Sequence, residues 1–113
     1  MATMDYQKIT VLGNVTGDPQ VNRPDGKKTY VDFSVGVSRG PAKEGREAVS
    51  DYFPVRAFDE VAQVAEMVRK GTLVLVEGRL EINTVPAKDN PEQKRTFVRI
   101  VPQVIVILSP KAE

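Results

Sequence analysis

Apolar and polar residues alternate at the two-residue period of a strand over much of this chain, and turn-forming residues interrupt that alternation at intervals. Between Lys8 and Leu12, Ile9 and Val11 share one side until Gly13 and Asn14 break the pattern, which predicts a strand ending in a turn. Gly17, Asp18 and Pro19, then Arg23, Pro24, Asp25 and Gly26, carry turn chemistry twice and predict a connecting loop. From Thr29 to Ser38 the alternation places Val31, Phe33, Val35 and Val37 on one face. The other face holds Tyr30, Asp32, Ser34, Gly36 and Ser38, small enough in the main for something flat to approach. Residues 40–50 read as a solvated loop. A third strand from Tyr52 to Phe58 sends Phe53, Val55 and Ala57 to one side and Tyr52, Arg56 and Phe58 to the other, with Pro54 predicting an edge position or a bulge.

The period then changes. Asp59 is placed to cap a helix whose apolar positions Val61, Val64, Ala65 and Val68 recur at helical spacing and which closes on Arg69, Lys70 and Gly71. A fourth strand from Thr72 to Thr84 points Val74, Val76, Leu80 and Ile82 inward, with Gly78 marking a bulge. A polar loop, residues 86–93, leads to a last strand system through Phe97, Val98, Ile100 and Val101, which Pro102 interrupts before residues 104–108. Three strands, one helix and at least two more strands are the order of an all-β fold with one short helix: the five-stranded Greek-key OB barrel, with its helix between strands 3 and 4. Residues 1–109 are expected to form this single domain, followed by a short end at 110–113.

Composition narrows the chemistry more than the fold. With 41% hydrophobic and 27% charged residues the chain has the makings of one packed domain, and its 113 residues suit one core and not two. There is neither histidine nor cysteine, so disulfides, the common zinc sites and the familiar nucleophile–base dyads cannot be built. The carboxylates Asp32, Asp51, Asp59 and Glu77 form no acid–base or metal pattern, and we expect no catalysis, no metal and no cofactor. A net charge of +1 means that any basic surface must be local. No apolar run is long enough for a membrane span, and no signal segment is visible, so a cytoplasmic protein without membrane association is expected.

Four stretches now carry a resemblance. "KITVLGNVTGDPQV", "VDFSVGVSR", "YFPVRAFDEVAQVAEMVRKGTLVLVEGRLE" and the closing apolar strand are similar, in order and spacing, to the bacterial single-stranded-DNA-binding (SSB) proteins, over nearly the whole chain. The third stretch is the most specific, with a helix ending in Arg-Lys-Gly and a strand ending in Glu-Gly-Arg-Leu. The resemblance implies an OB fold, oligomerisation through several barrels, and sequence-tolerant binding of single strands in replication, recombination and repair. Three departures accompany it. The chain has no tryptophan, with Tyr52 at one place where a stacking tryptophan is usual and Val85 at another. Glu81 and Asn83 stand where basic residues are frequent. The acidic C-terminal tail that recruits partner proteins in the family is not in this sequence, so no tail-mediated recruitment is expected.

Coating a single strand requires flat π surfaces for bases and cations along the backbone. Tyr52, Arg56 and Phe58 offer both on one strand face, and the opposite face already supplies core residues. A core face would not carry an unpaired guanidinium, which sends Arg56 outward to follow a phosphate or stack on a base. Lys8 and Arg79 sit on strands expected to border the groove, and Tyr30 and Lys70 complete the candidate set. Phe33 and Phe97 are read as core. Leu12, Leu73 and Leu75 fall off the core-facing register, which predicts a homo-oligomer, tetrameric by resemblance and otherwise dimeric. Two other functions fit the same barrel: a primosomal or RNA-binding module, and a protein-interaction barrel that has lost its nucleic acid.

Overall fold

The computed structural model describes residues 6–109. It is mostly β with one short helix: β1 (Ile9–Val15), β2 (Gln20–Asn22), β3 (Tyr30–Ser38), β4 (Ser50–Phe58), α1 (Asp59–Ala65), β5 (Leu73–Pro86) and β6 (Lys94–Ser109). The strands lie in the order β1-β5-β6-β4-β3-β2, and β1 also pairs with β3 through Asn14–Gly36 and Val15–Val35. β1, at one end of that order, therefore also bonds to β3, the last strand but one at the other end. All pairings are antiparallel except β4–β6, which meet in parallel at Val55 and Ile100.

Alternation is what fills the interior. Val11 and Val15 of β1, Val31, Phe33 and Val35 of β3, Val55 and Ala57 of β4, Val74 and Val76 of β5, and Ile100 and Ile105 of β6 are all buried together. Each valine, isoleucine or phenylalanine among them contributes roughly 1.5–3 kcal/mol relative to exposure. From α1 and the turn after it, Ala62, Ala65 and Val68 close one end of this core.

Several local expectations change. Gly13 does not end a strand; β1 runs through it because the backbone of β3 passes too close for a side chain, and a Cβ there would overlap the Gly36 carbonyl. The loop expected after it contains a short strand, since Gln20–Asn22 pair with Tyr30–Asp32, so four strands precede the helix. Asp59 does not cap α1 but is its first residue, at φ 56°, while the capping position is Phe58, whose side chain makes no capping bond. The helix stops at Ala65; the Arg69 backbone N–H then donates to Thr72 Oγ1, and Gly71 turns the chain at φ 92°. Pro102 does not split the last strand. It sits opposite Gly78 at a register shift, and the missing side chain at Gly78 leaves room for the backbone of Val101 and Pro102, so β6 is continuous over sixteen residues. Pro54 makes no bulge, since it pairs with Ser34 in an unbroken β3–β4 ladder; on its other side β4 meets β6 only at Val55, so the proline sits where the strand is open, as an edge position requires.

The β5–β6 hairpin outruns the rest of the sheet. Ile82 and Val98 continue the inward-facing register of Leu80 and Ile100, but both are exposed, Ile82 at 62%. Phe97, expected in the core, is likewise 57% exposed.

Candidate nucleic-acid interface

The outward face of the β3–β4 ladder is set by five cross-strand pairs: Tyr30–Phe58, Asp32–Arg56, Ser34–Pro54, Gly36–Tyr52 and Ser38–Ser50. Alternation aims these side chains away from the core, so two separate strands deliver three aromatic rings and one guanidinium to one surface. Tyr52 is 67% exposed, and its ring lies on Gly36, where an added Cβ would stand 3.3 Å from Cε1. The gap that small residues leave on β3 is thus occupied by a flat group of the chain's own.

At the other end of the ladder the rings of Tyr30 and Phe58 are 6.0 Å apart and tilted by 51°. Arg56 Cζ lies 4.1 Å from the centroid of Tyr30, within cation–π range. The same guanidinium donates from Nε to Asp32 Oδ1 at 2.8 Å and from Nη2 to Asp32 Oδ2 at 3.0 Å, a two-point fork between half-buried partners. That bond, ahead of every other influence, raises the Arg56 pKa above the ordinary arginine value. The guanidinium expected to face outward toward a phosphate or a base thus already has a partner within the chain.

Across the β4–β6 junction a groove of about 480 Å³ runs along this surface, a size typical of small-ligand clefts. Its lining comes from three places: Thr16, Asp18 and Gln20 after β1, Asp32, Ser34, Pro54 and Arg56 of the β3–β4 ladder, and Phe97, Val98 and Arg99 of β6. Arg99 donates from Nε to Glu81 Oε1 at 2.7 Å, and Arg79 Nη2 approaches Glu81 Oε2 at 3.6 Å. Hydrogen bonds from Asn83 and then Arg99 hold the Glu81 carboxyl below the usual glutamate range. The centre of the groove therefore carries arginines, each with an acid already in place.

Of the residues singled out from sequence, the ladder gathers Tyr30, Tyr52, Arg56 and Phe58 on one face. Arg79 is tied to the groove wall through Glu81. Lys70 is exposed beside the groove's end, where its backbone N–H donates to Asp18 Oδ1 at 3.1 Å. Lys8 is not brought to the groove: it pairs with Glu77 at 2.9 Å on the outer side of β1 and β5, and the two partners raise and lower each other's pKa, mainly through that bond. Sequence reasoning passed over Asp32, Arg99 and Phe97 as parts of the site. No residue pattern within β3 or β6 alone marks them, because each enters through its partner on another strand.

Among the described residues no cluster of carboxylates could hold a metal ion, and no helix is long and apolar enough to cross a membrane. Residues 6–108 match the model of the single-strand binding protein family. Among similar curated proteins, single-stranded DNA-binding protein 3 of Clostridium acetobutylicum is 30% identical over 89% of this chain and 69% of its own length. Single-stranded DNA-binding protein 1 of the same organism is 27% identical over 94% of this chain and 96% of its own. In structure, the Plasmodium falciparum SSB in complex with ssDNA superposes with a TM-score of 0.79 at 18% identity, covering 96% of this chain and 100% of that one. The small single-stranded DNA-binding protein of Streptomyces coelicolor gives 0.72 at 24%, over 92% and 95%. At these identities the structural likenesses speak for the fold.

Proposed function

We propose how this chain, which belongs to the single-strand binding protein family, holds its ligand. It binds single-stranded DNA, and the β3–β4 outer face with the adjoining groove is where the strand lies. The observation that carries this reading is the placement of Tyr52, Tyr30 and Phe58 on one outward face beside a groove walled by a second element bearing Phe97. Tyr52 and Phe58 are six residues apart, roughly 20 Å along an extended strand, so they serve different bases and not one stack. Every base has a π face, and contacts of this kind tolerate any sequence, as a coat for single strands in replication, recombination and repair requires. Binding changes no covalent bond, and we assign the chain no catalysis.

We read β1 and β2 as the two halves of one interrupted strand, a reading that the pairing of β1 with both β5 and β3 supports and that makes the fold a five-stranded Greek-key OB barrel with its helix between the third and fourth strands. Strands, helix and groove then correspond to one domain over residues 1–109, although residues 1–5 fall outside those described. The protein works as a homo-oligomer through the aliphatic outer face of β1, β5 and β6, where Leu12, Leu75 and Val106 lie side by side in register.

Substitution separates the two faces of β4. Tyr52→Ala and Phe58→Ala should each weaken binding to a homopolymeric single strand by about 1–3 kcal/mol per stacked base. Phe53→Ala, on the core-facing side, should instead lower stability by up to about 3–5 kcal/mol. Thermal unfolding and titration of the three variants check this. Loss of folding in Tyr52→Ala and Phe58→Ala with unchanged affinity of the folded fraction would reverse the faces and remove the site.

A further inference from the structure

We propose that Asp32 is a specificity-determining residue: by holding Arg56 in a two-point fork against Tyr30, it makes this arginine a surface for bases and withholds it from phosphates. The inference rests on the groove being the single-strand site and concerns what one cation in it does.

Asp32 and Arg56 face each other in the β3–β4 register, so the strands themselves bring the carboxylate to the guanidinium. The carboxylate occupies the Nε and Nη2 edge at 2.8 and 3.0 Å, the same edge a phosphate would fork onto. Tyr30 covers one face, with Cζ 4.1 Å from its centroid. What remains for a ligand is the opposite planar face and Nη1. A phosphate arriving here must displace an anion already seated and leave Asp32 without its partner beside a new negative charge. A base stacking on the face turned away from Tyr30 displaces no anion, and Arg56 lines the groove from which it would arrive.

Energetically, neutralising one phosphate of a single strand adds about 0.7 to the steepness of log affinity against log salt, about fivefold in affinity per tenfold change in salt. With Asp32 in place, Arg56 should add none of this. The groove then discriminates against ligands that offer only phosphate, such as inorganic polyphosphate, since its central arginine presents them no free fork.

The test is a salt series with oligo(dT) and with inorganic polyphosphate, using the unaltered protein, Arg56→Gln, Asp32→Asn, Asp32→Glu and the Arg56→Gln/Asp32→Asn pair. Arg56→Gln alone should lower oligo(dT) affinity and leave the slope unchanged. Asp32→Asn should steepen it by about 0.7 and strengthen polyphosphate binding, an effect that Arg56→Gln cancels in the pair. Asp32→Glu, which keeps a carboxylate, should behave as the unaltered protein. The proposal is overturned if Arg56→Gln alone flattens the slope by about 0.7, or if Asp32→Asn folds normally and leaves both slope and polyphosphate binding unmoved. Should Asp32→Asn fail to fold, the slope of Arg56→Gln decides by itself. Failure of the unaltered protein to bind oligo(dT) would sink the groove reading together with this one, and so is distinguishable from failure of the Asp32 inference alone.

Discussion

Two outward faces of one sheet are built by the same alternation and end up chemically opposite. On β3 and β4 the outward positions are Tyr30, Asp32, Ser34, Gly36, Tyr52, Arg56 and Phe58: flat rings, a guanidinium with its acid, and low ground between them. On β1, β5 and β6 the outward row is Leu12, Leu75 and Val106, flanked by Leu73 and Leu108, with Leu12 half exposed. Aromatic rings and arginines suit ligands that have π faces, whereas branched aliphatics offer only area to be covered. A strand's period tells inside from outside, and side-chain type then tells one outside from the other.

The sharpest way to break this comparison is to charge the aliphatic face. Leu12→Asp with Val106→Asp places two carboxylates where an interface would bury them unpaired, at a cost of roughly 3 kcal/mol or more, a loss of more than a hundredfold in assembly. Sedimentation at micromolar concentration should show the unaltered protein assembled and the variant monomeric. Affinity for an oligonucleotide short enough to occupy one protomer should stay within about twofold, well under 1 kcal/mol. An unaltered protein that is already monomeric, or a variant that loses short-oligonucleotide binding as well, would show that the two faces do not divide the work.

How much of this could be read from the chain follows from what each signal reports. Alternation in Thr29–Ser38 and Tyr52–Phe58 puts Val31, Phe33, Val35, Val55 and Ala57 inside, as the structure has them, and Tyr52, Arg56 and Phe58 on the opposite register, where Tyr52 is exposed and Arg56 and Phe58 are half-buried. It could not say whether an inward-facing residue is covered: the register of Ile82 is right, but the β5–β6 hairpin has run past its pairing with β1 by then, and Ile82 is 62% exposed. Pro102 reads as a break when β6 is taken alone, and the Gly78 that accommodates it is twenty-four positions away on another strand. Asp32 and Arg56 are also separated by twenty-four residues, so a pairing that redefines the site is invisible until the register is known. β2, three residues within a turn-rich segment, is too short for any periodicity to register.

A gentler change tests the aromatic face from beneath. The Tyr52 ring rests on Gly36, and a Cβ there would meet both Cε1 of that ring and Cγ2 of Thr16 at 3.3 Å. Both neighbours are exposed side chains able to shift by a few tenths of an ångström, so Gly36→Ala should fold. Strand interiors favour alanine over glycine by roughly 0.5–1 kcal/mol, and the melting temperature should rise slightly. The lifted ring should meanwhile lose part of its stacking, a fraction of the about 1–3 kcal/mol that its removal costs. Stability and affinity moving in opposite directions is the expected signature; a loss of both would mean that Gly36 serves the fold and not the ring.

The smallest effect concerns the acids that partner the groove's arginines. Glu81 has its pKa lowered by hydrogen bonds from Asn83 and Arg99, and Arg79 adds attraction. A carboxyl depressed in the folded state contributes stability that is fully present above its ordinary value of about 4.3 and is lost as the pH falls through the lower folded value. For a partly solvated ion pair that contribution is at most about 1 kcal/mol, so acid should erode stability only slightly through this group. Binding should respond in the other sense. Once Glu81 is protonated, Arg99, whose Nε bond to it is 2.7 Å, and Arg79 are released toward phosphates, and the salt slope for a single strand should steepen by up to about 0.7 for each arginine that takes one. Glu81→Gln should produce the steeper slope already at neutral pH and make it insensitive to acid over the same window. If the unaltered protein and Glu81→Gln share one slope at neutral pH, Glu81 does not hold these arginines back, and the groove's cations meet phosphate regardless of the acids beside them.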